Sequence, residues 1–209
     1  SIASGGNYNV VVGDEAGTAL TTGDGNTAIG FEALKTATTA SNNTAIGLNA
    51  LSLNTSGAQN TAVGRFSADA LTEGSANVAL GNAALTADTL GSKSVAVGNA
   101  ALGAQNFTSA TDTYNVAVGY NAGTAVTTGV NNTLIGGLAG DAITTGGSNT
   151  AVGQASLTTL TTASFNTAMG LNSGLVLTTG ADNTLIGVSS GASLTTGTLN
   201  VAVGRNALS

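Results

Sequence analysis

The stretch NTAIGFEAL at 26–34 returns as NTAIGLNAL at 43–51, and the 17-residue interval between them is kept along almost the whole chain. The motif Asn-(Thr/Val)-(Ala/Leu)-aliphatic-Gly begins at Asn9, Asn26, Asn43, Asn60, Asn77, Ser94, Asn115, Asn132, Asn149, Asn166, Asn183 and Asn200. Every interval is 17 residues except that from Ser94 to Asn115, which is 21. A fixed short period defines a whole architecture, because each repeat is one structural unit that buries its apolar face only by stacking on its neighbours. Residues 1–209 therefore read as a single repeat array of twelve units, with a four-residue insertion within 103–114.

Each motif position has a physical reading. Position five is Gly in all twelve units, at Gly13, Gly30, Gly47, Gly64, Gly81, Gly98, Gly119, Gly136, Gly153, Gly170, Gly187 and Gly204. Glycine at the fifth position of every unit marks a turn through positive φ or a backbone approach that no Cβ permits. Position four is always aliphatic and position two always Thr or Val, so both point to one face of a short strand. Position three, mostly Ala, faces the other way, toward something that comes close.

A second run follows, read as a second short strand. There, positions nine and twelve trade volume: Leu34 goes with Ala37, Leu51 with Asn54 and Leu85 with Asp88, whereas Gly17 goes with Leu20 and Gly140 with Ile143. Both positions serve one core slot; Leu157 with Leu160 departs from the rule. A polar turn closes the unit, TTG at 21–23, 127–129, 144–146, 178–180 and 195–197.

One such coil pairs its backbone with the coils above and below only if all stay in register. The expected fold is all-β, a parallel β-solenoid of twelve 17-residue coils, roughly 58 Å long at about 4.8 Å per coil. Asn9, Asn26, Asn43, Asn60, Asn77, Asn115, Asn132, Asn149, Asn166, Asn183 and Asn200 would stack as a hydrogen-bonded ladder. A helix is excluded by the period-two alternation and the recurrent Gly, and the absence of Pro suits continuous ladders.

Composition narrows the function. Only 7% of residues are charged, against about 25% in an ordinary domain. The four cations Lys35, Arg65, Lys93 and Arg205 are scattered, which argues against nucleic acid. Cys and His are both absent, which removes disulfides, thiolate metal sites and the commonest general base. The acids do not recur at one repeat position, so the calcium-binding nonapeptide pattern is not met; GDGN at 23–26 looks like it at one turn only. Asp14 and Glu15 are adjacent, but nothing else converges on them to make a glycosidase pair. The reading is of a protein that is not an enzyme and needs no cofactor or metal. No apolar run reaches the roughly 20 residues of a membrane span.

SVAVGNAAL at 94–102, NVAVGYNAG at 115–123 and NTAIGFEAL at 26–34 resemble the head repeats of trimeric autotransporter adhesins. The NTAIGxxAL…TTG array is similar to repeats of bacteriophage tail-fibre proteins and related bacterial fibre adhesins. The resemblance covers essentially the full chain and implies a left-handed β-roll, a homotrimer with the chains intertwined or side by side around one axis, and display on a cell surface or virion. It would set the position-three Ala against the three-fold axis. The adhesin head repeat is shorter than 17 residues, and no anchor, stalk coiled coil or chaperone domain is present in this chain.

The expected role is the structural shaft of an extracellular fibre that supports attachment to a cell or surface. Its partners would be other copies of itself and a surface glycan or receptor that the sequence does not name. The lack of an initiator Met points to a processed or excised piece. Neither end carries a polar cap, so the chain is read either as an excerpt of a longer shaft or as a subunit that stacks end to end. The one break in the repetition, with Phe107, Asp112 and Tyr114, is the candidate contact loop. The alternatives are an ice-binding or other surface-binding Thr-rich solenoid, and a self-assembling filament subunit.

Overall fold

The computed structural model describes residues 6–209. Within them the strands are, in chain order, β1 Val10–Val12, β2 Thr27–Ile29, β3 Thr44–Ile46, β4 Thr61–Val63, β5 Val78–Leu80, β6 Gly91–Ser92, β7 Val95–Val97, β8 Thr111–Asp112, β9 Val116–Val118, β10 Thr133–Ile135, β11 Thr150–Val152, β12 Thr167–Met169, β13 Thr184–Ile186 and β14 Val201–Val203. The chain divides into two compact units, one running to Ala100 and taking in Asn106–Asp112, the other made of Ala101–Gln105 and the residues from Thr113 onward. Each unit is a parallel β-solenoid with 17 residues per turn, and the chain has about eleven turns in all.

In the first unit β1, β2, β3, β4, β5 and β7 pair in sequence order, Val10 opposite Thr27 and Val78 opposite Val95. The second unit repeats this with β9 to β14, Val116 opposite Thr133 and Thr184 opposite Val201. The short β6 and β8 pair separately, Gly91 opposite Thr111. That offset of 20 absorbs three of the four inserted residues, at the exposed Thr108, Ser109 and Ala110.

The second run is not a strand. Positions seven and nine hold left-handed φ of about +50 to +60°, as at Glu32 and Leu34, or Asn49 and Leu51, and such residues break a pleat into successive turns. The run still bonds coil to coil, Leu34 N donating to Ala50 O and Glu32 N to Asp14 O. It therefore behaves as a ladder without strand geometry.

Position three faces the interior of its own coil: Ala28, Ala45, Ala62 and Ala96 are all fully buried. This corrects the placement of these alanines against a three-fold axis. The crowding comes from the opposite wall of the same solenoid, which is within reach of a serine side chain. The hydroxyl of Ser67 donates across the interior to Ala79 O at 2.7 Å, and that of Ser173 to Leu185 O at 2.8 Å.

The shared slot is real. Leu34, Leu51 and Leu85 at position nine are buried, and so are Leu20, Leu71, Ile143 and Leu177 at position twelve. A Cβ on Gly140 would lie 2.8 Å from the Ile143 side chain, so the large residue at twelve occupies the space over nine. Leu134 and Leu185, which replace Ala at position three, fill what is left over Gly140 and Gly191. Leu157 with Leu160 is explained by the next coil, where a Cβ on Gly174 would meet Leu157 Cδ2 at 2.7 Å. Leu157 fills its neighbour's gap and Leu160 its own.

Position five is closed to side chains where a further coil follows it. Gly64 has φ +137°, and a Cβ there would lie 2.4 Å from the carbonyl oxygen of Gly81, which is backbone and cannot step aside. Gly204 has φ +122° but nothing within 4 Å of such a Cβ. Gly64→Ala is expected to cost about 3 kcal/mol or more, combining backbone strain with overpacking, and Gly204→Ala only the strain, about 1–3 kcal/mol. Chemical denaturation of the two variants beside the parent checks the difference; equal losses would refute the stacking explanation.

Candidate functional site

Because the coils are in register, every motif position becomes a file of side chains along the stacking direction. Function must be sought in those files or where one is interrupted.

The asparagine file lies inside. Asn43 donates its Nδ2 to Gly57 O at 2.9 Å, while its Oδ1 accepts the backbone N of Asn60 at 2.9 Å. Asn132 does the same with Gly146 O and Asn149 N. Each amide thus ties its own coil across to position fifteen and fastens the next coil below. Ser94 ends the file in the first unit, its N donating to Asn77 Oδ1 at 2.8 Å. In the second unit Asn115 finds a different partner, donating to Gln105 Oε1 at 2.9 Å as well as to Gly129 O. These side chains are consumed by the fold and offer no atom to a ligand.

The candidate contact loop is divided by the structure. Phe107 is only 6% exposed; its N donates to Asp88 Oδ1 at 3.2 Å and its O accepts the Thr89 hydroxyl at 2.8 Å. Asp112 pairs with Lys93 at 2.6 Å. Tyr114 stands out at 52% exposure. Asp112 and the bulge 108–110 are thus exposed while Phe107 is buried, and Tyr114, in the second unit, is exposed as well.

The sequence reading missed three features. Lys35 bridges Glu15 at 2.5 Å and Glu32 at 2.9 Å, and donating to Glu15 first and Glu32 second holds its ammonium above the ordinary lysine pKa. The signal was present, since Glu15 and Glu32 share position seven and Lys35 lies three residues beyond Glu32. The Arg65 guanidinium sits over the Phe66 ring, 4.3 Å from its centroid. Third, position twelve carries buried polar groups in place of aliphatics. Asp88 accepts Gly91 N at 3.0 Å and Gln105 is bound as above, but neither polar atom of the buried Asn54 amide has a partner in the protein.

The exposed acids form no binding cluster. Among the described residues there is no group of three or more His, Cys, Asp or Glu side chains placed to hold a metal ion, and no helix is long and apolar enough to cross a membrane. The chain matches no protein-family model, no curated protein and no solved structure.

Leu51 already fills the slot of this coil, and the coil with Leu34 at position nine carries a buried Ala37 at twelve, so alanine is the apolar residue that fits there. Replacing Asn54 removes two unpartnered buried polar atoms. Asn54→Ala is expected to stabilise the protein by about 1–3 kcal/mol, read as a raised denaturation midpoint. A lowered midpoint would mean that the Asn54 amide is doing something the fold needs.

Proposed function

We propose that this chain is a structural segment of an extracellular fibre, a homotrimeric shaft that holds a recognition element away from its anchor, and that it performs no catalysis. The observation that carries this reading is where the polar groups go. In each unit the backbone, the Asn amides and the position-thirteen Thr hydroxyls bond to the next coil, as Thr72 to Thr89 O at 3.0 Å and Thr178 to Thr195 O at 3.0 Å. A chain that commits its hydrogen bonds along the stacking direction builds length and resistance to extension. The likeness of the repeats to tail-fibre and adhesin-head motifs supports display on a virion or cell surface.

A second reading has one observation in its favour. In the second unit Thr128, Thr145, Thr162, Thr179 and Thr196 form an exposed file at position fourteen, and no hydrogen bond occupies their hydroxyls. A regular row of hydroxyls and methyls about 4.8 Å apart is a surface suited to ordered water or ice.

Sedimentation equilibrium and negative-stain electron microscopy test the first reading. The expected result is a rod with three times the chain mass; a compact monomer overturns it. Thermal hysteresis separates the second, which requires a measurable freezing-point gap that Thr162→Lys abolishes.

A further inference from the structure

We infer that Asn42, Asn106 and Asn131 are acceptor sites for N-linked glycans, and that Asn54, which carries the same sequence signal, is not. The inference rests on the extracellular placement in the proposed function, since such glycans are added to chains on an export route.

The acceptor signal is an Asn followed two residues on by Ser or Thr, with any residue but Pro between. Four triplets of the chain satisfy it: Asn42-Asn43-Thr44, Asn54-Thr55-Ser56, Asn106-Phe107-Thr108 and Asn131-Asn132-Thr133. In a chain this rich in Asn and Thr the triplet alone decides nothing, and it is the fold that sorts the four.

A transferase must reach the carboxamide and the hydroxyl together. In three of the triplets the first and third residues lie outward and the middle one inward. Asn42 is exposed, Asn43 buried and Thr44 half-buried; Asn131, Asn132 and Thr133 repeat the pattern in the second unit, and Asn106, Phe107 and Thr108 show it in the insertion. For Asn42 and Asn131 the cause is the coil itself. Position seventeen precedes the inward ladder asparagine and position two follows it, so both halves of the signal flank a side chain that the fold has turned inside.

The groups that would react are also unengaged. No hydrogen bond within the chain takes the side-chain amides of Asn42 and Asn131 or the hydroxyls of Thr44 and Thr133. Asn106 accepts the Thr89 hydroxyl on Oδ1 at 3.0 Å, which leaves its Nδ2 open. Asn54 is the reverse case, with a fully buried carboxamide and exposed Thr55 and Ser56. A glycan there would have to enter the core, and a chain carrying one would not close its coil.

The donor is a lipid-linked oligosaccharide diphosphate. The bond from sugar C1 to the diphosphate oxygen breaks, the bond from C1 to Asn Nδ2 forms, the lipid diphosphate leaves with the electron pair, and Nδ2 gives up one proton to a base of the transferase. What the chain gains is hydration. Only 7% of its residues are charged, while large apolar side chains such as Leu53 and Phe165 stand 50 and 63% exposed, and attached glycans are bulky and solubilising.

The test uses protein recovered from the medium or surface of the cells that make it. Digestion with a peptide N-glycosidase in heavy-oxygen water marks each formerly glycosylated Asn with the heavy isotope. Peptide mass spectrometry is expected to find the mark at 42, 106 and 131 and an unchanged Asn at 54. Thr44→Val/Thr133→Val keeps every acceptor amide but removes two of the hydroxyls, and it is expected to lose the glycans at 42 and 131 and keep the one at 106. An unmarked chain outside the cell, or a mark at 54, overturns this inference and leaves the extracellular reading standing. A chain found only inside the cell overturns both.

Discussion

A carboxamide shut away from water must find partners for both its donor and its acceptor, and most of this structure follows from how the position-one asparagines meet that demand. Up to Asn183, each spends its Nδ2 on the far wall of its own coil and its Oδ1 on the backbone N of the next, as Asn60 does with Gly74 O and Asn77 N. A slip of one residue between coils would break the Oδ1 bond to the next coil and leave buried polar groups unpaired, so the file fixes register. With register fixed, glycine lies on glycine at position five, and the carbonyl of one coil fills the space a side chain would need in the previous one.

Register also decides how the interior is filled. The two walls lie close enough for Ser156 to reach Ala168 O, so only about one large side chain per coil fits between them. That chain is supplied from position nine or twelve, and sometimes in part from three, with Leu157 and Leu134 filling space that glycines leave open. Buried polar groups at position twelve are tolerated where a donor or acceptor is at hand, as for Asp88 and Gln105, and Asn54 marks the place where none is.

The same geometry sorts the surface. Polar files at the turns are spent on the coil below or face solvent, whereas the strand face stays uncharged and half exposed along each unit. The fibre reading draws on the bonds that run along the stack. The insertion, where repetition breaks, contributes an ion pair and one exposed tyrosine, and its phenylalanine serves the core.

Most of the fold was legible without coordinates. The 17-residue period, the parallel pairing, the glycine turn, the asparagine file and the shared slot all follow from residue types recurring at fixed spacing, because in-register stacking makes sequence offset and spatial neighbourhood the same thing. Less of the candidate site was legible, for the same reason inverted: what lies across the coil is not related by the period. Alternation shows that Ala28 and Ile29 face opposite ways, but only the folded path decides that the alanine is inside. That path depends on left-handed φ at residues such as Leu34 and Glu32, and nothing in a leucine or glutamate announces that conformation. For that reason the second run read as a strand, Phe107 read as a surface contact, and the pairing of Lys35 with two carboxylates one coil apart went unseen. Sequence by itself determined which residues stack; the tertiary structure alone decided which wall faces which, because turns built from non-glycine residues set the direction of the chain.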